Sequence, residues 1–133
     1  MDNPGVFTLV GLGLTTALTG AAQTPVTGLD GMSAVTLEAE LLYGSGGTTV
    51  SLVAQTSFDG GTTWFDIARF DFTTAAAKKW AVVEGLAARA VSAYAALAAE
   101  GVNNGLLGDQ LRGVVTSTGT YANTTVVLRA SVR

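Results

Sequence analysis

The chain has 133 residues, a formal net charge of −3, and neither cysteine nor histidine. This length favours a single domain with a core of its own. Without cysteine the chain can form no disulfide and no thiolate metal site, and without histidine it lacks the usual general base and the commonest metal ligand. The negative charge argues against nucleic acid as a partner, because nucleic-acid binding needs a basic surface. We therefore expect no enzyme activity, no cofactor and no metal.

Charged residues make up only 13% of the chain, whereas hydrophobic residues make up 48%. A soluble domain usually carries about 25% charged residues, so part of the surface must consist of uncharged Thr, Ser, Ala and Gly. Such a surface is suited to burial against neighbouring proteins. The composition predicts a homo-oligomer or a subunit of a larger assembly, with an Ala- and Gly-rich monomer as the alternative.

Residues 1–22 are apolar, but their pattern is not that of a secretory signal. They lack a positively charged start, contain Asp2, and are interrupted by Gly11 and Gly13. No stretch of the chain reaches the roughly 18 continuous apolar residues needed to cross a bilayer, so we expect no membrane partner. We predict that residues 1–22 are folded and form a contact arm that adds a strand to a neighbouring subunit. The alternative is that residues 7–18 pair within the chain's own sheet.

Alternation of apolar and polar residues predicts strands along most of the chain. Residues 35–43 form the clearest one, and residues 49–55 follow after a glycine-rich turn, so we predict a hairpin of these two strands. The next turn, Asp59-Gly60-Gly61, leads through residues 62–65 into a further strand, in which Phe70 and Phe72 point one way and Arg69 and Asp71 the other. Its alternation is interrupted at Asp66 and Ile67, as a β-bulge would produce.

The second half of the chain contains two more strand regions and one ambiguous segment. Residues 80–83 form an apolar strand, and residues 111–117 and 124–132 predict a closing hairpin. Residues 86–100 fit helical and strand spacing about equally well. The β-rich context favours a strand there, with one short helix as the alternative.

About eight strands are predicted, without βαβ alternation and without an internal repeat. This pattern favours an all-β fold, an antiparallel two-sheet β-sandwich that is jelly-roll-like. No linker composition interrupts the chain, so we expect residues 1–133 to form one β-sandwich domain.

The sharpest local motif is Ser57-Phe58-Asp59-Gly60-Gly61-Thr62-Thr63-Trp64, which fits the spacing S-x-D-x-G-x-T-W. An Asp in such a turn accepts hydrogen bonds from turn amides, a glycine supplies positive φ, and a Trp packs beneath the hairpin. The motif resembles the Asp-box of sialidases and related β-propellers, where it is a fold element remote from the active site. One copy in 133 residues cannot supply the several four-stranded blades of a propeller. We therefore predict a structural hairpin formed by Ser57, Asp59, Gly61, Thr63 and Trp64.

A second resemblance covers about half of the chain. The hairpin at residues 57–66 is followed by Leu107-Gly108-Asp109-Gln110-Leu111-Arg112, by Thr116 and by Gly119-Thr120-Tyr121-Ala122. Together these segments resemble small virion proteins of tailed bacteriophages. The resemblance implies a β-sandwich without catalytic residues that decorates or stabilises the capsid or connects head and tail. Its partners in the virion would then be major capsid, neck or tail subunits.

Carbohydrate binding is the alternative function, as a β-sandwich module on a phage fibre or a secreted protein. The aromatic residues that could form a sugar platform are Trp64, Phe65, Trp80, Tyr94 and Tyr121. Core packing is the commoner fate of such residues, so we expect them in the core and expect no simple sugar to bind.

Four charged residues are candidates for a functional role. Glu38 and Glu40 share the polar face of a strand, where solvation explains them better than glycosidase chemistry does. For Arg112 and Arg129, exposed cross-strand positions are favoured over ion pairs with a neighbouring subunit, because exposed pairs contribute little.

Overall fold

The computed structural model describes residues 5–133, and this range contains strands but no helix. The strands are β1 (Gly5–Leu14), β2 (Ala21–Ala22), β3 (Ala34–Leu42), β4 (Ser45–Gly46), β5 (Thr49–Ser57), β6 (Phe65–Phe72), β7 (Ala77–Glu84), β8 (Gly101–Val102), β9 (Gln110–Thr118), β10 (Tyr121–Ala122) and β11 (Thr124–Val132).

The strands form two packed antiparallel sheets and a small ribbon. The first sheet has the order β1-β11-β3-β7, the second has the order β2-β9-β5-β6-β8, and β10 pairs with β4 in the ribbon. When the short strands β4, β8 and β10 are set aside, the chain changes sheet at every connection except the β5–β6 hairpin. This winding of eight strands is that of a jelly roll. The predicted all-β, two-sheet, jelly-roll-like sandwich is confirmed.

The core lies between the two sheets and consists of the inward-facing residues of alternating strands. β3 shows the pattern most clearly, because every second residue from Val35 to Leu41 is fully buried. The same alternation in β11 extends this face of the first sheet, and in β5 and β9 it supplies the opposing side chains of the second sheet. Burial of each large aliphatic side chain stabilises the fold by about 1.5–3 kcal/mol.

Both predicted hairpins outside the β5–β6 connection are wrong. β3 pairs with β11 and β7 rather than with β5, and β9 pairs with β2 and β5 rather than with β11. The turns after β3 and β9 instead carry the chain across the sandwich, and they meet where Tyr121 pairs with Gly46. Strands that face each other across a core alternate in the same way as strands of one hairpin, so the pattern alone does not distinguish the two.

The described part of the predicted contact arm belongs to the sandwich itself. Residues 5–14 form β1, which pairs with β11 of the same chain. Leu9, Val10 and Leu14 of this strand are buried in the core. Residues 5–14 therefore pair within the chain's own sheet, as the alternative expectation had it. They do not form an arm set apart from the sandwich. Residues 1–4 of that arm lie outside the described residues.

The predicted bulge at Asp66 and Ile67 is confirmed. Ala54 is opposite Ala68 and Gln55 is opposite Asp66, so that Ile67 is the extra residue of β6. The bulge places both Asp66 and Ile67 in buried positions. The alternation of β6 is therefore interrupted where residues 94–97 contact the second sheet.

Residues 86–100 form neither the strand nor the short helix that was predicted. Residues 87–97 contain no helix, strand, turn or bend, and Leu86 and Val91 are 81% and 105% exposed. A helix would need its apolar stripe packed against the sandwich, whereas these apolar side chains face solvent. A strand would need a backbone ladder, but the Leu97 N–H donates to the Asp66 carboxylate instead of to a strand carbonyl.

A substitution at Gly113 tests how closely β9 packs against β1 across the core. A Cβ at this position would overlap the Val10 Cγ2 methyl and lie 3.2 Å from the Leu9 carbonyl oxygen. Gly113→Ala should therefore lower the free energy of unfolding by about 1–3 kcal/mol, the usual cost of overpacking, as measured by urea denaturation. Combining it with Val10→Ala should cost less than the sum of the two single changes.

Gly101→Ala is the matched control for this experiment, because nothing lies within 4 Å of a Cβ built there. Equal losses of stability from the two glycine variants, or full additivity with Val10→Ala, would show that the close approach of β9 and β1 is not present.

Candidate functional site

The hairpin between β5 and β6 closes around the side chains of Ser57 and Asp59. Asp59 Oδ1 accepts hydrogen bonds from the Ser57 hydroxyl at 2.9 Å, the Thr62 N–H at 3.1 Å and the Thr63 N–H at 2.8 Å. Ser57 Oγ accepts a further bond from the Gly61 N–H at 2.9 Å. With the Asp59 N–H, which also donates to Ser57 Oγ, the two side chains therefore accept hydrogen bonds from four turn amides.

Trp64 completes the hairpin on its other side. Its Nε1 donates to the Gly61 carbonyl at 2.9 Å, and Gly61 itself has a φ of +95°, which favours glycine. The Arg112 guanidinium lies over the indole ring at 4.4 Å from the ring centre and donates through Nε to Gln55. The five residues predicted for this hairpin thus lie together in one turn.

Arg112 and Arg129 differ from each other in their surroundings. Arg112 is partly buried against Trp64, and this desolvation lowers its pKa, so the predicted exposed position is wrong for Arg112. Arg129 is exposed and pairs across the strands with Glu38 at 3.0 Å, as expected. Both arginines therefore have partners within the chain.

Asp66 attaches the segment of residues 86–100, which follows β7, to the second sheet. Its carboxylate accepts bonds from Gln55 Nε2 at 2.8 Å and from the Leu97 N–H at 3.0 Å. Its backbone N–H donates to the Tyr94 hydroxyl at 2.8 Å, and its backbone carbonyl accepts a bond from Asn103 Nδ2 at 2.7 Å. One residue of the bulge therefore makes four hydrogen bonds, three of them to residues 94–103.

No sequence pattern indicates that Asp66, Tyr94 and Asn103 take part in this attachment. The one available signal was the interruption of alternation at Asp66, which indicated a bulge but not its partners. Those partners are 28 to 37 positions away along the chain, beyond the reach of any local pattern.

A cluster of aromatic rings supports the same attachment. The Tyr94 and Phe65 rings meet edge to face with centres 4.8 Å apart, and Phe58 packs on Phe65 at 5.8 Å. Desolvation raises the pKa of the Tyr94 phenol, so its hydroxyl stays protonated at neutral pH. Edge-to-face pairs of this kind contribute about 0.5–1.5 kcal/mol beyond the area that they bury.

Charged residues fix the far end of the segment. Lys79 Nζ lies 2.7 Å from Glu100 Oε2 and holds the pKa of that carboxyl below its ordinary value. Arg69 pairs with Asp71 at 2.9 Å and donates through Nη1 to the Leu97 carbonyl. Because partly exposed ion pairs contribute little stability, the effect of this cluster is to position the chain where it enters β8.

A cavity of about 300 Å³ lies between residues 89–95 and the loop of residues 103–106, with Phe65 also in its lining. Arg89, Asn103 and Asn104 are among the residues that line it. Arg89 donates to the Asn104 carbonyl at 2.6 Å, Asn104 Oδ1 accepts from the Glu84 N–H, and Asn103 binds Asp66. These polar side chains are already used to hold neighbouring loops.

The aromatic residues proposed for a sugar platform do not lie on one surface. Tyr121 is buried in the core, and Trp64 and Phe65 are partly buried. The expectation of core packing is wrong for Tyr94, which is 44% exposed, and for Trp80, which is 73% exposed on the outer face of the first sheet.

Three further observations bear on function. Within residues 5–133, no group of three or more His, Cys, Asp or Glu side chains is arranged to hold a metal ion. The described chain also has no helix with the length and apolar character required to cross a membrane. Comparison with family models, curated proteins and solved structures gave no match to this chain.

Asp59 should make the stability of the hairpin depend on pH. The Thr63 N–H holds the pKa of the Asp59 carboxyl below its ordinary value. The stabilisation is therefore complete above about pH 4, the ordinary value, and is lost as the pH falls through the lowered value of the folded state. Asp59→Asn should lower the melting temperature by a few degrees at pH 7, and this difference should shrink below pH 4.

Asp30→Asn, at an exposed position outside the hairpin, is the matched control and should leave the melting temperature unchanged. A difference between Asp59→Asn and the unchanged chain that is absent at pH 7, or equally large at pH 3, would contradict the role given to this carboxylate.

Proposed function

We propose that this chain is a structural component of a tailed-bacteriophage virion that acts through protein–protein contacts. It decorates or stabilises the capsid or connects head and tail. The observation that carries the proposal is the apolar, exposed segment of residues 86–99. In this segment Arg89 is the only charged residue, and Leu86 and Val91 face solvent.

An exposed apolar run of this length is unusual for a protein that remains alone in solution. Contiguous exposed apolar surface commonly marks a site of contact with another protein. The segment is also held in place by Asp66, Tyr94 and Arg69 rather than collapsed onto the core. A surface that is both apolar and fixed is suited to repeated contacts with identical neighbours.

The fold and the phage resemblance support the same proposal from two other directions. Jelly rolls occur in viral capsid proteins, and also in lectins and cupins, so the fold is compatible with the function but does not select it. The side chains of Ser57 and Asp59 form hydrogen bonds within their own hairpin, as expected of a structural element. Resemblance to small virion proteins across about half of the chain then favours the virion over the other functions that this fold serves.

Mass spectrometry of purified particles tests this function directly. Particles of the encoding phage, purified by density gradient, should contain the chain at a fixed ratio to the major capsid protein. A non-structural protein of the same phage serves as the control for contamination. Recovery of the chain from the lysate but not from the particles would overturn the proposal.

Carbohydrate binding remains the second candidate, favoured by the exposure of Trp80 and by the neighbouring exposed Val82. A sugar site needs polar groups directed at the ligand beside its aromatic platform. Glu38 lies opposite Trp80, but its carboxylate is already paired with Arg129. We therefore expect a glycan array to show no specific binding of a simple sugar. A specific signal that Trp80→Ala abolishes and Val82→Ala retains would place this candidate first.

A further inference from the structure

We propose that residues 87–96 of one copy pair as a β-strand with the free edge of β1 in a second copy. The chains would then be linked head to tail. This inference rests on the proposed function and identifies the contact through which copies of the protein assemble.

The donor segment has backbone groups without partners. Within residues 5–133, no backbone N–H or C=O of residues 87–96 makes a hydrogen bond, and the nearest bonds are at Leu86 and Leu97. Backbone donors and acceptors are strong hydrogen-bonding groups, and those of residues 88–96 are in exposed positions where another chain can reach them. Ten consecutive residues with unpaired backbone and an exposed Val91 are thus available to a strand from another chain.

The donor segment is also prepared for this pairing. Residues 87–97 run without a turn or bend, while Arg89, Tyr94 and Leu97 fix the segment to the sandwich. Residues 90–96 are exposed to solvent. A segment that is already held open loses less conformational entropy on binding than a flexible one.

β1 provides an edge of matching length and character. It is ten residues long, it ends the first sheet, and β11 is its one partner strand among the described residues. Residues 5–14 contain no charged side chain. Proteins normally protect such an edge with charged residues, proline, a β-bulge or a cover, because an open edge pairs with other chains. β1 has a bulge between Thr8 and Val10, so residues 5–8 and 10–14 are its two regular stretches.

The other edges of the two sheets are either protected or short. β7, at the opposite end of the first sheet, carries Lys78, Lys79 and Glu84. The edge strands of the second sheet, β2 and β8, have two residues each. Among the described strands, β1 is therefore the long edge that lacks charge, and its protection is best explained by a neighbour.

Donor and acceptor cannot meet within one chain. The segment is anchored beside β7 through the Glu100–Lys79 pair, whereas β1 lies three strands away at the far edge of the first sheet. At the usual strand spacing this separation is about 14 Å. A donor at one end and an acceptor at the other give a heterologous contact, which closes into a ring or continues as a filament.

Light scattering after size exclusion, with the purified full chain, tests the pairing of residues 87–96 with β1 of a second copy. The unchanged protein should form dimers or larger assemblies. Val91→Pro removes a backbone donor from the segment, and Val6→Lys places a charge on the β1 edge. Each variant alone should be monomeric. An equimolar mixture should form a dimer, because the Val91→Pro chain keeps its acceptor edge and the Val6→Lys chain keeps its donor segment.

Matched controls separate this contact from general effects of the substitutions. Ala75→Pro changes an exposed turn, and Val82→Lys adds the same charge to the opposite edge strand, so both should assemble normally. Melting temperatures confirm that each variant is folded. Ala95→Pro serves as a second donor variant if Val91→Pro fails to fold.

Three results would overturn this pairing. The unchanged protein could be monomeric, both variants could still assemble, or the equimolar mixture could form no dimer. A monomeric chain that is nevertheless found in purified particles would refute the pairing and leave the proposed function standing. If the chain assembles through residues 87–96 and β1 but is missing from particles, the proposed contact stands and the proposed function is refuted.

Discussion

Asp66 is 7% exposed, yet its carboxylate and its backbone together make four hydrogen bonds at the bulge of β6. Burial of a carboxylate is costly unless such bonds are formed. The bulge places the side chain where the N–H of Leu97 can reach it, and this bond takes the place of a strand ladder. The long connection from β7 to β9 is therefore attached to the sandwich by polar side chains, and its apolar residues remain exposed.

Much of the fold follows from local pattern. The strands, the two-sheet sandwich and the interruption at Asp66 are visible in the alternation, and the Ser57–Trp64 motif identifies a turn whose side chains do lie together. Strand pairing is not visible, because β3 and β5 alternate in the same way whether they share a hairpin or face each other across the core. The state of residues 86–100 was also beyond prediction. Propensity describes the segment alone, whereas its conformation depends on distant bonds to Asp66.

The two edges of the first sheet differ in how they are completed. Lys78 and Lys79 protect the β7 edge, whereas β1 is long, uncharged and open. An open edge and an open segment on the same molecule are each a liability for a monomer. Together they have a common explanation, since each can satisfy the backbone groups of the other in a neighbouring copy. The low charge of the whole chain is consistent with a protein that spends its functional life in contact with others.

Hydrogen–deuterium exchange at two protein concentrations tests this account most directly. In dilute solution the amides of residues 87–96 should exchange within seconds, while those of β3 and β5 in the centres of the sheets stay protected. At high concentration, residues 87–96 and β1 should gain protection together. Protection of residues 87–96 in the dilute monomer would contradict the account, because it would show that this segment is already paired within its own chain.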